Sequence, residues 1–142
     1  MLLDLGSYKK QALNMIESAD VIFVPEAFRL AIMPKEKPET VAVKLERRGP
    51  RIVVVTCGEK GSFIASGGKV FHQPAFKVKA IDTNGAGDVF MGGFAYGLVK
   101  GWPLERTARF AAAAAAITCT KFGKIQAMPK SEAEVMHFLG KF

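Results

Sequence analysis

Cysteine and tryptophan are scarce in this chain, with two of the first and one of the second among 142 residues. Cys57 and Cys119 have neither the density of a secreted disulfide scaffold nor metal-ligand spacing, so they are expected to be reduced thiols in the core. Long apolar runs are missing too. No stretch of about 18 residues escapes a charge, which argues against a membrane-spanning helix. The opening MLLDLGSYKK puts Asp4 where an export signal needs an unbroken apolar segment, so a soluble, cytoplasmic protein is expected. Acidic residues are the rarer charge, 13 Asp and Glu against 20 Lys and Arg, leaving a net +7. That surplus would suit an anionic partner, nucleic acid first of all. However, the basic residues are dispersed. Their one local cluster, Lys44, Arg47, Arg48 and Arg51, lacks interleaved aromatics on which bases could stack, and a solvated helix end accounts for it. Neither nucleic acid nor a membrane is expected as a partner.

What the chain does have is enough apolar sequence for a core: 49% of residues are hydrophobic and 23% charged, within the size of one globular domain. LLDL at 2–5 reads as a strand that starts abruptly, as if a preceding segment were missing. Ser7 is a candidate cap for a helix with Ala12, Leu13, Ile16 and Ala19 on one face, leading to the strand VIFV at 21–24. A helix from Pro38 to Arg48 closes at Gly49 and Pro50. RIVVVT at 51–56 is a near-continuous β-branched run, as in parallel strands covered on both faces. SFIAS at 62–66 and KVFHQ at 69–73 flank Gly67 and Gly68, a two-residue hairpin signal. FKVKAID at 76–82 then alternates as a strand does. Helices are predicted over 88–100, 104–121 and 131–139, the last with Ser131 as cap and Glu134 at the capping-box position. This order of elements is that of an α/β fold with a partly parallel sheet.

The chemistry concentrates in AIDTNGAGDVFMGGF at 80–94. The first amides of a helix lack internal partners and carry the positive end of its dipole. A glycine-lined helix start therefore forms a ready anion site, and without Cβ atoms a phosphoryl group can reach the backbone. Gly85, Ala86 and Gly87 supply those amides. Asp88 has two readings: a cap for the helix, or a base that takes a hydroxyl proton while the amides stabilise the transferred phosphoryl group. The loop lacks the Gly-Lys-Ser/Thr ending of a Walker loop, and Phe90 stands where a dinucleotide fingerprint needs its third glycine. A second glycine loop, Thr56-Cys57-Gly58-Glu59-Lys60-Gly61, follows the most hydrophobic strand, at the end where open α/β sheets place ligands. The six alanines at 111–116 are explained by helix propensity and packing alone.

DTNGAGD at 82–88, together with VTCGEKG at 55–61, GGKVFHQPAFKV at 67–78 and RFAAAAAAITCTKFG at 109–123, closely resembles the C-terminal half of the ribokinase family, also called PfkB-type carbohydrate kinases. The blocks occur in the family's order and spacing. The resemblance implies a ribokinase-like α/β fold: a mostly parallel central sheet flanked by helices, with a β-hairpin, and without the family's N-terminal half and lid. It implies ATP-dependent phosphorylation of a sugar hydroxyl with Mg²⁺, with Asp88 as the catalytic base and the amides of Gly85, Ala86 and Gly87 as the anion hole. Thr56, Gly58 and Gly61 match positions that line the nucleotide phosphates, and Ala112 matches one beside adenine. Asp82, Asn84, Thr118, Lys121, Gly123 and Ala127 match the site of a monovalent cation such as K⁺, where Asp82 would supply the formal charge.

The chain departs from the family in two respects. Pro25, Glu26, Ala27, Phe28 and Arg29 stand where many members carry Asn-x-x-Glu, an element whose acid helps organise the magnesium-bound phosphates; Glu26 is the candidate substitute. The sugar-binding residues and lid of the family's N-terminal half have no counterpart, so a complementing N-terminal half or a homo-oligomer is the expected partner. A non-catalytic nucleotide-binding module that retains the kinase fold is the alternative function.

Overall fold

The computed structural model describes residues 1–6 and 10–142. Ser7, the candidate helix cap, lies outside the described residues. The rest falls into two compact units, Met1–His72 and Gln73–Phe142.

The first unit is built on the sheet. Its strands are β1 (Leu2–Asp4), β2 (Val21–Pro25), β3 (Ile52–Thr56), β4 (Ser62–Ser66) and β5 (Lys69–Gln73), which lie side by side in that order. β1, β2 and β3 are parallel, with Ile22 opposite both Leu3 and Val53, and β4 runs antiparallel to β3 with Ile64 opposite Val54. Gly67 and Gly68 join β4 to β5 at φ 61° and 77°, the positive pair that a two-residue turn matching strand twist requires. The Gly68 amide also donates to the Glu46 carboxylate at 3.1 Å, tying the hairpin to the preceding helix.

That helix is α3 (Pro38–Glu46); α1 (Lys10–Met15) continues into a 3₁₀ turn at Ile16–Ser18, and α2 (Glu26–Ile32) follows β2 directly. Side chains alternate across a strand, so Ile22, Val24, Val53 and Val55 share one face, where they pack with Ile16, Phe28, Val41 and Leu45. Phe23, Val54 and Ile64, on the opposite face, are buried as well. The β-branched run at 52–56 is thus covered on both sides, as expected. Each fully buried Val, Ile, Leu or Phe contributes roughly 1.5–3 kcal/mol.

The second unit is helical: α4 (Ala86–Val99), α5 (Leu104–Cys119), the short α6 (Lys124–Ala127) and α7 (Glu132–Leu139). α4 lies against α5 closely enough that a Cβ on Gly93 would sit 3.1 Å from the Cα of Ala111. Five of the six alanines at 111–116 are buried, as the packing reading of that run requires. Val89, Phe110, Ala113, Ala114, Ile117 and Val135 form one buried cluster. Ser131 caps α7, accepting the Glu134 amide at 3.2 Å, while the Glu134 carboxylate accepts the amide of Lys130 at 2.8 Å.

Three expectations are corrected. FKVKAID at 76–82 joins no ladder among the described residues; the amides of Ile81 and Asp82 donate instead to the Cys119 carbonyl, at 2.8 and 3.3 Å. Alternation is a strand signal, but a strand also needs a neighbour to pair with. α2 and α6 were not foreseen. Pro25 and Gly123 stand at their N-caps and offer no side-chain cap, and both helices are short.

Candidate active site

Gly85 turns the chain into α4. It sits at the N-cap in the left-handed region, φ 82°, which side chains other than glycine seldom adopt. The Ala86 amide folds back to the Thr83 carbonyl at 3.2 Å, while the amides of Gly87 and Asp88 donate to no backbone or side-chain acceptor among the described residues. Of the three expected anion-hole amides, that of Ala86 is therefore partly engaged and that of Gly87 is free. The Asp88 amide, not expected in the set, is free too. A Cβ on Gly87 would meet nothing within 4 Å.

Asp88 does not cap the helix. Its carboxylate forms an ion pair with Lys124, the first residue of α6, and the two side chains remain 56% and 49% exposed. Sequence reasoning missed Lys124: one lysine after a glycine carries no pattern, and the pairing exists only because the start of α6 is folded against the start of α4. Gly85 makes room for this lysine. A Cβ there would lie 2.6 Å from the Lys124 Cγ and 3.0 Å from its Cδ and Cε, so the lysine stem runs across the glycine.

Asp82 fixes that arrangement from behind. Its Oδ1 accepts the Asn84 amide at 2.9 Å, closing the turn before Gly85, and its Oδ2 accepts the Gly123 amide at 3.4 Å, just ahead of Lys124. Asp82, Asn84 and Gly123, three of the six expected cation positions, are therefore joined by hydrogen bonds. The others have their own engagements. The Thr118 hydroxyl donates to the Ala114 carbonyl at 3.0 Å within α5, Lys121 faces Glu134 at 3.9 Å, and Ala127 is buried with its amide on the Gly123 carbonyl at 2.9 Å. Among the described residues no group of three or more His, Cys, Asp or Glu side chains forms a metal cluster.

Beside Asp88 and Lys124 a cavity of about 470 Å³ opens between α4 and the segment from Met128 to Val135. At its other end the Tyr96 hydroxyl donates to the Glu132 carboxylate, a bond that holds the phenol above its ordinary pKa. Gly92 and Gly93 form part of its wall; Ala112, expected beside adenine, does not, and is buried within α5.

In the first unit, the loop after β3 makes a 3₁₀ turn at Gly58–Lys60, with Gly58 at φ 54° and Gly61 at φ 91°. The Cys57 amide closes it onto the Gly61 carbonyl at 2.8 Å. A Cβ on Gly58 would meet nothing within 4 Å, so the loop presents bare backbone at the carboxyl end of the sheet, where Thr56 stands in register with Pro25. Glu26, next along, bonds Arg29 at 3.2 Å, and Arg29, only 7% exposed, also donates to the Glu36 carbonyl at 2.9 Å. Burial, with Glu26 as a lesser cause, raises the Cys57 thiol above its ordinary pKa.

The model of the pfkB family of carbohydrate kinases matches residues 1–131. A ribokinase of Lactococcus lactis is 34% identical over 122 residues, covering 86% of this chain and 39% of its own. Fructokinase-1 of Zea mays is 34% identical over 145 residues, 94% of this chain and 43% of the relative. The solved Arabidopsis thaliana ribokinase, complexed with ribose and ATP, superposes with a TM-score of 0.85 at 31% identity, over 99% of this chain and 47% of that one. The chain thus spans less than half the length of each of these relatives.

Proposed function

Because the chain belongs to the pfkB family of carbohydrate kinases, we propose that it carries the phosphoryl-transfer half of an ATP-dependent kinase acting on a hydroxyl of a sugar or sugar-like compound. One observation carries this reading: the free amides of Gly87 and Asp88 and the Asp88 carboxylate belong to a single helical turn. Donors for the phosphoryl oxygens and an acceptor for the hydroxyl proton are thereby held close together.

In the reaction the hydroxyl proton passes to Asp88 and the freed oxygen bonds to the terminal phosphorus. The bond from that phosphorus to the bridging oxygen breaks, and its electron pair leaves on ADP. The free amides of Gly87 and Asp88, at the turn that Gly85 and Ala86 open, would face the charge that spreads over the phosphoryl oxygens. Thr56, Gly58 and Gly61 would line the remaining phosphates with exposed backbone, and Ala112 would lie near the base. Glu26 fits a role toward Mg²⁺, since such an ion takes only one or two protein carboxylates beside its phosphates, and Arg29 holds it in place. When bound, Mg²⁺ neutralises phosphate charge. A monovalent cation at Asp82, Asn84, Thr118, Lys121, Gly123 and Ala127 would draw its formal charge from Asp82, whose two oxygens already order the loop.

The test is thermal stabilisation by ATP and Mg²⁺, followed by ADP formation over a panel of sugars, with and without K⁺. Stabilisation with sugar-dependent ADP formation is expected. Stabilisation without turnover would support the non-catalytic module instead, a reading favoured by the ion pair that engages Asp88. Stabilisation by oligonucleotides alone would overturn both. A complementing N-terminal half or a second copy is the proposed partner in turnover.

A further inference from the structure

The Lys124 ammonium is out of place for a residue with no task. A cation at the positive end of a helix opposes the dipole, and here it stands beside two amides that also seek an anion. Among the described residues, the ammonium bonds the Asp88 carboxylate alone. The stem is guided, because Gly85 leaves it a channel that any Cβ would block, and its root is fixed by Asp82 through the Gly123 amide. The head is not buried. With the side chain half exposed, the ammonium can turn away from Asp88 without unfolding anything.

We propose that Lys124 is a charge-exchange residue for the terminal phosphate, a role that rests on the kinase reading above. With no anion at the helix start, the ammonium is neutralised by Asp88 and the carboxylate is unavailable as a base. A terminal phosphate on the amides of Gly87 and Asp88 presents more negative charge than one carboxylate and draws the ammonium to its oxygens. Asp88 is then released to accept the hydroxyl proton. Base activation thus follows occupancy by a nucleoside triphosphate, and a diphosphate, lacking the terminal group, leaves the pair closed.

Isothermal titration with ATP–Mg²⁺ and ADP–Mg²⁺, on the wild type, Lys124→Met and Lys124→Arg, tests this. Methionine keeps an unbranched stem over Gly85 and removes the charge. A lost charge-assisted contact to phosphate should weaken ATP about tenfold or more in Lys124→Met while ADP changes less than about twofold, and arginine should restore most of the loss. Circular dichroism melts check that each variant folds; the exposed head predicts that all three do, and Lys124→Gln, which also removes the charge, takes the place of methionine should methionine not. Equal weakening of ATP and ADP, or of neither, overturns the role of Lys124 and leaves the kinase reading standing. A wild type that binds neither nucleotide overturns both.

Discussion

Replacing Gly97 by alanine should destabilise the protein, whereas the same change at Gly92, five residues earlier on α4, should stabilise it. A Cβ on Gly97 would lie 2.7 Å from the Thr107 Oγ1, 2.8 Å from its Cγ2 and 3.0 Å from its Cβ. Thr107 is fully buried and cannot retreat: its hydroxyl faces the Trp102 carbonyl at 3.4 Å, and the Trp102 amide in turn bonds Gly97 at 3.0 Å. Overpacking of this kind costs about 1–3 kcal/mol, and the gain in helix propensity offsets about 1. The net loss is therefore about 0–2 kcal/mol. At Gly92 a Cβ meets nothing within 4 Å, so the propensity term, about 0.8–1 kcal/mol, acts alone. Urea unfolding at constant m-value should thus separate the two variants by about 1–3 kcal/mol. Thr107→Ala in the Gly97→Ala background should recover part of the loss, since the two sites touch and their effects are coupled. Shifts of the same sign and size at 92 and 97 would refute the packing of α4 on α5 described above, and with it the rigid mounting of Asp88.

Gly85→Ala should cost about 1–2 kcal/mol from its left-handed backbone, and since the colliding atoms belong to a flexible lysine, the cost should persist in a Lys124→Ala background, which removes them. Loss of the penalty in the double variant would assign it to the lysine instead. Cys57 gives a pH dependence. Its thiol is raised in the folded state, chiefly by burial, so above the ordinary thiol range, about 8.5, the unfolded chain binds fewer protons than the folded one. The contribution is full below that range and lost as pH climbs through the folded value. Urea unfolding should show stability falling from about pH 8 to 10, with a shallower fall in Cys57→Ala; an unchanged slope would remove Cys57 as the cause.

The strands were legible because each leaves a local trace. The β-branched run at 52–56 and the Gly67-Gly68 pair reappear as β3 and the β4–β5 turn, since burial on both faces and positive φ act directly on residue choice. α4, α5 and α7 were visible for the same reason, through propensity, the Ser131 cap and the punctuation at Gly101 and Pro103. α2 was not, because a seven-residue helix that starts straight from a strand has no polar cap to announce it. At the site, the turn from Gly85 to Asp88 could be read as an anion site from glycine content alone. Its state could not. The pairing of Asp88 with Lys124, 36 residues away, depends on Asp82 drawing the Gly123 amide to the start of α4, a tertiary event with no sequence period. The stretch at 76–82 failed in the converse way: its alternation was real, but the ladder it implied needs a second strand that the described residues do not supply.

The most direct test of the account is the single-atom change Asp88→Asn, followed by coupled ADP release with the acceptor sugar and by titration with ATP–Mg²⁺. Loss of a general base should slow sugar-dependent turnover by about 10²–10⁴-fold, with ATP affinity held or improved because the ammonium no longer has to leave a carboxylate. A variant that binds ATP and turns over at the wild-type rate would contradict the assignment of Asp88, and with it the kinase chemistry argued from this helical turn.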